Sequence, residues 1–310
     1  MIVVLAGGVG AARFLEGLVR VVPPKDIFVV VNTGDDEEFF GLRVCPDFDI
    51  ITYTLAGLVD PEKGWGIKGD TFNCLDMLSR YGYETWFLLG DRDLATHIHR
   101  THLLKKGYTI FEIAEDIRKR LGIECQIAPM TNEFVKTKVI TKEAGELDFQ
   151  VYFVKRRTQD TVIEVKFQNI EKAKPAPGIL DAIESADGII ISPSTPIVSI
   201  GPILAIRGIR DALQSTEAKI VAISPIVGGK TIKGPADRML QSLGYDVSPV
   251  GVAELYKDFL DVMIIDTIDA EYKKKIEALG IKAIITNTIM KSIEDKVNLA
   301  KAAVEAFKLI

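Results

Sequence analysis

Short apolar runs that end in glycine, serine, asparagine or aspartate recur along the chain. These runs are IVVLAGG, IFVVVNTGDD, WFLLGDRD, GIIISPS, KIVAISP, VMIIDT and KAIITNT. Continuous runs rich in β-branched residues are typical of strands that are covered on both faces, and intervening segments such as 11–21 have the spacing of helices. The pattern predicts an α/β fold, Rossmann-like and doubly wound around a mainly parallel sheet.

Two regions depart from this alternation of strand and helix. The part from about residue 41 to 121 has the pattern of a helix-rich stretch, and FQVYFVKRR and TVIEVKF alternate in polarity like an antiparallel pair of strands. We interpret both as additions to one core. The prediction is a single Rossmann-like α/β domain over residues 1–310, with a helix-rich inserted subdomain at about 41–121.

Composition and charge limit the kinds of partner that the protein is expected to bind. A chain of 310 residues with 47% hydrophobic and 26% charged residues can bury a large core, and its net charge of -5 argues against binding nucleic acid. The cysteines Cys45, Cys74 and Cys125 are far apart and form no CxxC pair, which fits a reducing, cytoplasmic location. The longest uncharged stretch, 188–206, contains three prolines, so we expect no membrane partner.

A glycine-rich turn follows the first predicted strand. Gly8 and Gly10 match the start of the dinucleotide fingerprint, but Arg13 occupies the position of its third small residue. The second strand ends at Asn32 and continues into Thr-Gly-Asp-Asp, without the ribose-binding acid at the usual place. The turn could present backbone amides to an anion, or could be a tight structural turn. The sequence therefore disfavours a nicotinamide dehydrogenase and favours another nucleotide arrangement.

Acidic residues cluster at two further places. Asp47 and Asp49 in CPDFD could share a magnesium ion, or one could orient a substrate hydroxyl while the other caps a helix. Asp91 and Asp93 flank Arg92 in GDRD, where either helix capping or ligand contact is expected. The loop GWGIKGDTF could place an aromatic face against a planar ligand or form a packed Ω-loop.

Three histidines follow in DLATHIHRTH. On a helix, the directions of His97 and His99 differ by about 200°, so a zinc site of three histidines is not expected. We predict that His97 lies near the sheet edge and that His99 and His102 point outward.

Two Ser-Pro loops, ISPSTPIVSIGPIL and ISPIVGGKTIKGP, follow later strands and offer hydroxyls and free amides. Together with the glycine turn, they place three anion-compatible loops at one sheet edge. This suggests a ligand with more than one phosphate, and ordinary turn chemistry is the alternative.

Taken together, these segments resemble the 2-phospho-L-lactate transferase family of coenzyme F420 biosynthesis. The matching segments, in order, are AGGVGAARFLEGL, VNTGDD, CPDFDIITYTLAGLVD, GWGIKGDTF, WFLLGDRDLATHIHRT, APMTN, FQVYFVKRR, SPSTPIVSIGPILAI, SPIVGGKTIKGPA and GVAELYKDFLD. The resemblance implies a homodimer that uses Mg²⁺ to transfer phospholactate from lactyl-2-diphospho-5'-guanosine to Fo, 7,8-didemethyl-8-hydroxy-5-deazariboflavin. The ribityl hydroxyl of Fo attacks the lactate-bearing phosphorus and GMP leaves, which gives F420-0.

The resemblance also implies roles for residues of this chain. Asp49 is the catalytic candidate, and Asp47 and Asp49 are the candidate metal ligands. The candidate Fo-binding residues are Asp49, Trp65, Leu88, Asp91 and Arg92. The candidate nucleotide- or phosphate-binding residues are Gly7, Gly8, Val9, Gly10, Asn32, Ser192, Ser194, Thr195, Gly228 and Gly229. At two positions the chain departs from its relatives: Leu88 replaces a basic residue found in several of them, and Thr195 replaces the asparagine of the usual PSNP.

One alternative within the same broad group is a non-catalytic regulator that binds a nucleotide sugar. It would keep the glycine turn and Asn32 but would make no use of Asp49 or of an Fo pocket. The sequence also leaves open whether the donor carries lactate, enolpyruvate or glycerate.

Overall fold

The computed structural model describes residues 1–308 and contains fourteen strands. In chain order they are β1 (Ile2–Ala6), β2 (Ile27–Val31), β3 (Glu37–Phe39), β4 (Leu42–Val44), β5 (Gln126–Pro129), β6 (Lys136–Thr141), β7 (Gly145–Asp148), β8 (Val162–Gln168), β9 (Gly188–Ile191), β10 (Lys219–Ile223), β11 (Ile226–Val227), β12 (Lys230–Thr231), β13 (Val262–Asp266) and β14 (Lys282–Thr286).

Twelve α-helices connect and cover these strands within the described residues. They are α1 (Gly8–Leu18), α2 (Pro46–Leu55), α3 (Asn73–Arg80), α4 (Asp91–Lys105), α5 (Ile110–Arg120), α6 (Ile179–Glu184), α7 (Gly201–Ala205), α8 (Ile209–Ser215), α9 (Ala236–Ser242), α10 (Pro249–Tyr256), α11 (Lys273–Glu277) and α12 (Ile293–Ala306). None of the helices in the part of the chain described here is both long and apolar enough to cross a bilayer.

The central sheet has the strand order β14-β13-β10-β9-β1-β2-β5, and every neighbouring pair is parallel. The chain builds outward from β1 to β2 and β5, then returns to place β9 on the other side of β1. The strand order therefore reverses between β1 and β9, and parallel sheets bind ligands beyond the carboxyl ends of the strands at such a point. The predicted doubly wound α/β fold is confirmed.

Both faces of the sheet are covered, which explains the uninterrupted apolar runs. In β1, Val3 and Leu5 pack on one face, while Val4 and Ala6 pack on the other. The first face is covered mainly by α6, α8, α10 and α11, and the second by α1, α2, α5 and α12. Successive side chains of a strand point to opposite faces, so a strand buried on both sides has no polar alternation.

Two predicted strands are wrong. WFLLGDRD contains no strand before α4, and the sheet edge beside β2 is instead β5. The apolar Leu89 packs with Val44 and Leu94 in a small separate cluster instead of forming part of a strand. FQVYFVKRR forms a short π-helix, Val151–Lys155, because Phe149 and Tyr152 are buried at helical spacing.

The antiparallel partner of β8 is β6, and β7 completes this small sheet on the other side of β6. The part of the chain from 41 to 121 contains α2, α3, α4 and α5. Of these, α2 and α5 pack against the central sheet.

Candidate active site

A cavity of about 590 Å³ opens beyond the carboxyl ends of β1 and β9. Residues 7–10 after β1 and residues 193–195 after β9 line one side of it. The helices α2 and α4 add carboxylates, and aromatic side chains also line the cavity. The position is the one at which doubly wound sheets bind their ligands.

The glycine turn is packed too closely for larger residues. A Cβ atom at Gly10 would lie 2.2 Å from the carbonyl oxygen of Pro193, and one at Gly7 would lie 2.7 Å from Asp47 Oδ2. Gly8 has a φ of +72°, a conformation that side chains disfavour. Ser194 Oγ donates to the carbonyl oxygen of Gly7 at 2.7 Å, which joins the loops after β1 and β9. The start of α1 is thereby held open toward the cavity.

The predicted nucleotide-binding residues separate into two groups. Those that line the cavity are Gly7, Gly8, Val9, Gly10, Ser194 and Thr195. Asn32, Ser192, Gly228 and Gly229 do not line it. Ser192 Oγ donates to the carbonyl oxygen of Leu5, and the backbone amide of Gly228 donates to the carboxylate of Asp269. From the later glycine loop, Lys233, Gly234 and Pro235 reach the cavity instead.

Two carboxylates at the buried end of the cavity belong to Asp35 and Asp47. Asn32 Nδ2 donates to Asp47 Oδ2 at 2.9 Å. Asn32, a predicted nucleotide-binding residue, therefore holds the Asp47 carboxylate in place without lining the cavity itself. Burial raises the pKa of Asp47 to about 7. Burial, followed by the charge of Asp47, raises the pKa of Asp35 well above its ordinary value. Within residues 1–308, no hydrogen-bond partner reaches Asp35 Oδ1.

The Asp49 carboxylate also lines the cavity, but the protein neutralises it. Arg100 Nη1 donates to Asp49 Oδ2 at 3.2 Å, and Nη2 of the same guanidinium contacts Oδ1. Arg100 is fully buried and donates in addition to the carbonyl oxygen of Arg43. Asp49 is therefore a fixed hydrogen-bond acceptor rather than an uncompensated charge.

A third set of polar groups joins α2 to α4. His97 Nε2 lies 3.2 Å from Asp93 Oδ1, and His97 Nδ1 lies 3.6 Å from Asp49 Oδ2. Tyr53 OH donates to Asp93 Oδ1 at 2.7 Å. The ligand atoms of Asp49, Asp93 and His97 lie within 4.8 Å of one another, so these side chains could hold a metal ion. As expected, His97 is the inward histidine, while His99 contacts Asp116 and His102 is exposed.

The carboxylates of Asp70 and Asp91 cap helices instead. Asp70 accepts hydrogen bonds from the backbone amides of Arg92 and Asp93 at the start of α4, at 2.8 and 3.1 Å. Asp91 accepts from the amides of Asn73 and Cys74 at the start of α3, at 3.1 and 3.0 Å. A hydrogen bond from Thr71, together with these amides, lowers the pKa of Asp91 to about 2. Asp70, which precedes α3, thus caps α4, and Asp91, at the start of α4, caps α3.

The predicted Fo-binding residues differ in whether they line the cavity. Trp65 and Leu88 line the cavity, whereas Asp91 and Arg92 do not. The guanidinium of Arg92 donates to the carbonyl oxygen of Lys68. Leu88 is exposed on the cavity wall and can offer only apolar or backbone contact.

An aromatic wall forms part of the lining of the cavity. Its members are Trp65, Trp86, Phe87, Phe149 and Phe153. The rings of Phe149 and Phe153 stack with centroids 5.5 Å apart, and Phe87 stacks on Phe39 at 4.4 Å. Aromatic faces pack well against a flat conjugated ring. The cavity therefore offers both aromatic contacts for a planar group and free amides for an anion.

Sequence reasoning missed some of these groups. Asp35 was visible in VNTGDD, and its place at a strand end was a usable signal. Trp86, Phe149 and Phe153 lie in segments with the apolar pattern of strands, so nothing in the sequence marks them as residues of a cavity wall. Lys233 was noted only as part of an anion-compatible loop.

A family model and several curated relatives match nearly the whole chain. The family model for 2-phospho-L-lactate transferase CofD matches residues 2–304. The 2-phospho-L-lactate transferase of Methanocaldococcus jannaschii is 41% identical over 98% of this chain and 97% of its own length. The enzyme of that name from Methanothermobacter thermautotrophicus is 43% identical over 97% and 96%. A phosphoenolpyruvate transferase of Streptomyces griseus is 42% identical over 98% and 97%.

Solved structures support the fold. A UPF0052 family protein from Bacillus halodurans superposes with a TM-score of 0.65, covers 98% of both chains and is 18% identical. At that identity the likeness is evidence for the fold alone. The match over residues 2–304 and the full-length relatives confirm the resemblance and the prediction of a transferase. This chain belongs to the 2-phospho-L-lactate transferase family.

Proposed function

We propose that the protein transfers phospholactate from lactyl-2-diphospho-5'-guanosine to the terminal ribityl hydroxyl of Fo. The products are F420-0 and GMP. Transfer of phospholactate in coenzyme F420 biosynthesis is the activity that the family and its full-length relatives support. The observation that carries the finer proposal is that one cavity is lined by the glycine turn, by aromatic side chains and by buried carboxylates.

The glycine turn is the proposed place of the donor. Gly8 and Gly10 expose the N-terminal end of α1 to the cavity, and Ser194 fixes the neighbouring loop against Gly7. Free amides at a helix start bind phosphate groups. Thr195 lies on the same side and adds a hydroxyl. The aromatic wall, which includes Trp65 and Phe153, would pack against the deazaflavin ring of Fo.

Mg²⁺ fits best between Asp35 and Asp47. Both carboxylates line the cavity and are buried, and Asp35 Oδ1 lacks a partner among residues 1–308. Carboxylate oxygens are the preferred protein ligands of Mg²⁺, and the ion commonly bridges such carboxylates to substrate phosphates. When bound, the ion would neutralise the charge of the donor diphosphate. We therefore propose Asp35 in place of Asp49 as the partner of Asp47.

Asp49 has a different proposed role. Its carboxylate is fixed by Arg100 and lines the cavity, so it can accept a hydrogen bond from the ribityl hydroxyl and take its proton. The hydroxyl oxygen forms a bond to the lactate-bearing phosphorus as the bond from that phosphorus to the bridging oxygen breaks. The bridging oxygen leaves on GMP. Positioning and charge neutralisation supply most of the catalysis in such transfers.

The remaining expectations stay proposals. We propose that the chain works as one domain with an insertion at about 41–121, as a homodimer, in the cytoplasm. The three free cysteines are compatible with a reducing compartment. Size-exclusion chromatography with light scattering tests the homodimer.

The decisive assay combines the purified protein, Fo, Mg²⁺ and lactyl-2-diphospho-5'-guanosine. We expect GMP and a phosphodiester-linked deazaflavin in equal amounts, measured by chromatography with mass detection. Parallel reactions with the enolpyruvyl and glyceryl donors test the donor, and we expect the lactyl form to give the highest kcat/KM. GMP no higher than in a protein-free control would contradict the transferase and favour the non-catalytic nucleotide-sugar-binding regulator.

A further inference from the structure

Two cationic side chains converge beside the cavity, and one of them lines it. Arg13 lies on α1, one turn beyond the glycine turn, and Lys233 lies on the loop after β12. Both approach Gly64: the position of a Cβ atom there would be 3.0 Å from Lys233 Nζ and 3.3 Å from Arg13 Nη2. Two side chains more than two hundred residues apart in sequence thus converge on one point.

Neither cation is neutralised within residues 1–308. Arg13 has no hydrogen-bond or ion-pair partner there, and Lys233 donates only to the carbonyl oxygen of Lys63 at 3.3 Å. The neighbouring Lys63 is itself paired with Asp60. Partial burial, followed by the charge of Arg13, lowers the pKa of Lys233. Like charges in contact are unfavourable unless an anion lies between them.

The position of this pair matches the polarity of the cavity. The carboxylates of Asp35 and Asp47 occupy the buried end, whereas Lys233 lines the exposed end. Lys233 also neighbours Gly234, where a Cβ atom would lie 3.5 Å from Thr195 Oγ1. Lys233 therefore lines the same cavity as the glycine turn, and Arg13 adjoins Lys233.

We infer that Arg13 and Lys233 form a two-cation clamp for the phosphate group that leaves with the nucleoside, an inference that rests on the proposed function. As the bond between the transferred phosphorus and the bridging oxygen breaks, negative charge grows on the leaving phosphate. The clamp neutralises that charge, and its guanidinium and ammonium donors fix the direction of departure. The proton of the attacking hydroxyl goes to Asp49, so the clamp transfers no proton.

Binding of inorganic pyrophosphate with Mg²⁺ tests the clamp independently of any transfer. Isothermal titration calorimetry compares the wild type with Arg13→Gln, Lys233→Gln and the double variant. We expect each single change to weaken pyrophosphate binding by about tenfold or more, as expected for the loss of a charged hydrogen bond. Arg13→Lys and Lys233→Arg should retain most of the affinity. Lys230→Gln, an exposed neighbour outside the cavity, is the matched control and should bind like the wild type.

Transfer assays add a readout that a structural role would not move. The Gln variants should lower kcat, while the KM for Fo stays unchanged and the Tm stays within a few degrees of the wild type. Unchanged pyrophosphate binding in both single variants would overturn the clamp. If pyrophosphate binding depends on both cations but the wild type releases no GMP, the clamp stands and the proposed transferase activity fails.

Discussion

Two acidic segments of this protein look alike in sequence and differ in physical state. In the first, Asp35 to Asp49, burial raises the pKa values of Asp35 and Asp47 and the carboxylates face a cavity. In the second, Asp70 to Asp93, Asp70 and Asp91 accept backbone amides at helix starts. Hydrogen bonds lower the pKa of Asp91 to about 2.

The difference shows how to separate functional from structural acids. The fold satisfies Asp91 completely, because amides and Thr71 surround its carboxylate. It leaves Asp35 and Asp47 close together in a buried place, and no basic side chain among residues 1–308 pairs with them. Uncompensated buried charge is costly, so a protein retains it where a ligand or metal supplies the compensation. Asp49 lies between these extremes, because Arg100 compensates it.

The largest effect on transfer activity is expected from Asp47→Asn. The variant should lose transfer activity by about 10²-fold or more, because charge neutralisation by a metal contributes several kcal/mol to such reactions. Its Tm without metal should equal or exceed that of the wild type, because the amide removes a buried carboxylate whose pKa is raised. Steady-state kinetics and calorimetry check both parts. A large loss of Tm with little loss of activity would show that Asp47 is a structural acid rather than a functional one.

Arg100→Met should cause the largest loss of stability. It leaves the carboxylate of Asp49 buried and unpaired, which typically costs about 3–5 kcal/mol. Denaturant unfolding measures the free energy. The double variant Arg100→Met with Asp49→Asn should recover a large part of the loss. If the double variant is as unstable as the single one, Arg100 contributes packing rather than charge compensation.

Asp70→Ala should cost about 1 kcal/mol, the usual effect of losing a helix cap. Turnover should fall only a few-fold, because α4 carries Asp93, His97 and Arg100 but remains packed. Asp70→Asn keeps a capping oxygen and is the control for the cap itself. Unfolding curves and kcat are the measurements. A loss of activity as large as that of Asp47→Asn would show that the second segment is part of the chemistry.

The smallest effect is a pH dependence from Asp91. Its folded pKa lies below its unfolded value, so its stabilisation is present above about pH 4 and is lost as the pH falls toward 2. The difference in stability between the wild type and Asp91→Asn should therefore be constant near neutrality and shrink between pH 4 and 2. Urea titrations across this range measure it. A difference that grows on acidification would contradict the capping role.

Much of the fold could be predicted because strands buried on both faces leave uninterrupted apolar runs. The edge strand β5 was not predicted, because its four residues, which end in proline, are too few to show a strand pattern of apolar residues. WFLLGDRD was misassigned because its apolar residues serve a local cluster and the cavity wall. Tertiary packing decided both cases.

The site was predictable where local chemistry is distinctive. The glycine turn and Asp47 were identified from sequence and do line the cavity. The capping of α4 by Asp70 could not be foreseen, because the carboxylate and its amides are 22 residues apart in sequence. Asp49 and its partner Arg100 are even farther apart, by 51 residues. Such contacts arise only when the helices are packed.

The most direct test of the central claim is an anomalous-scattering map from crystals grown with Mn²⁺ and GDP. Mn²⁺ replaces Mg²⁺ at carboxylate sites and can be located without ambiguity from its anomalous signal. The account predicts one peak coordinated by Asp35 and Asp47, beside the glycine turn. A peak held by Asp49, Asp93 and His97, with Asp35 and Asp47 free of metal, would contradict it.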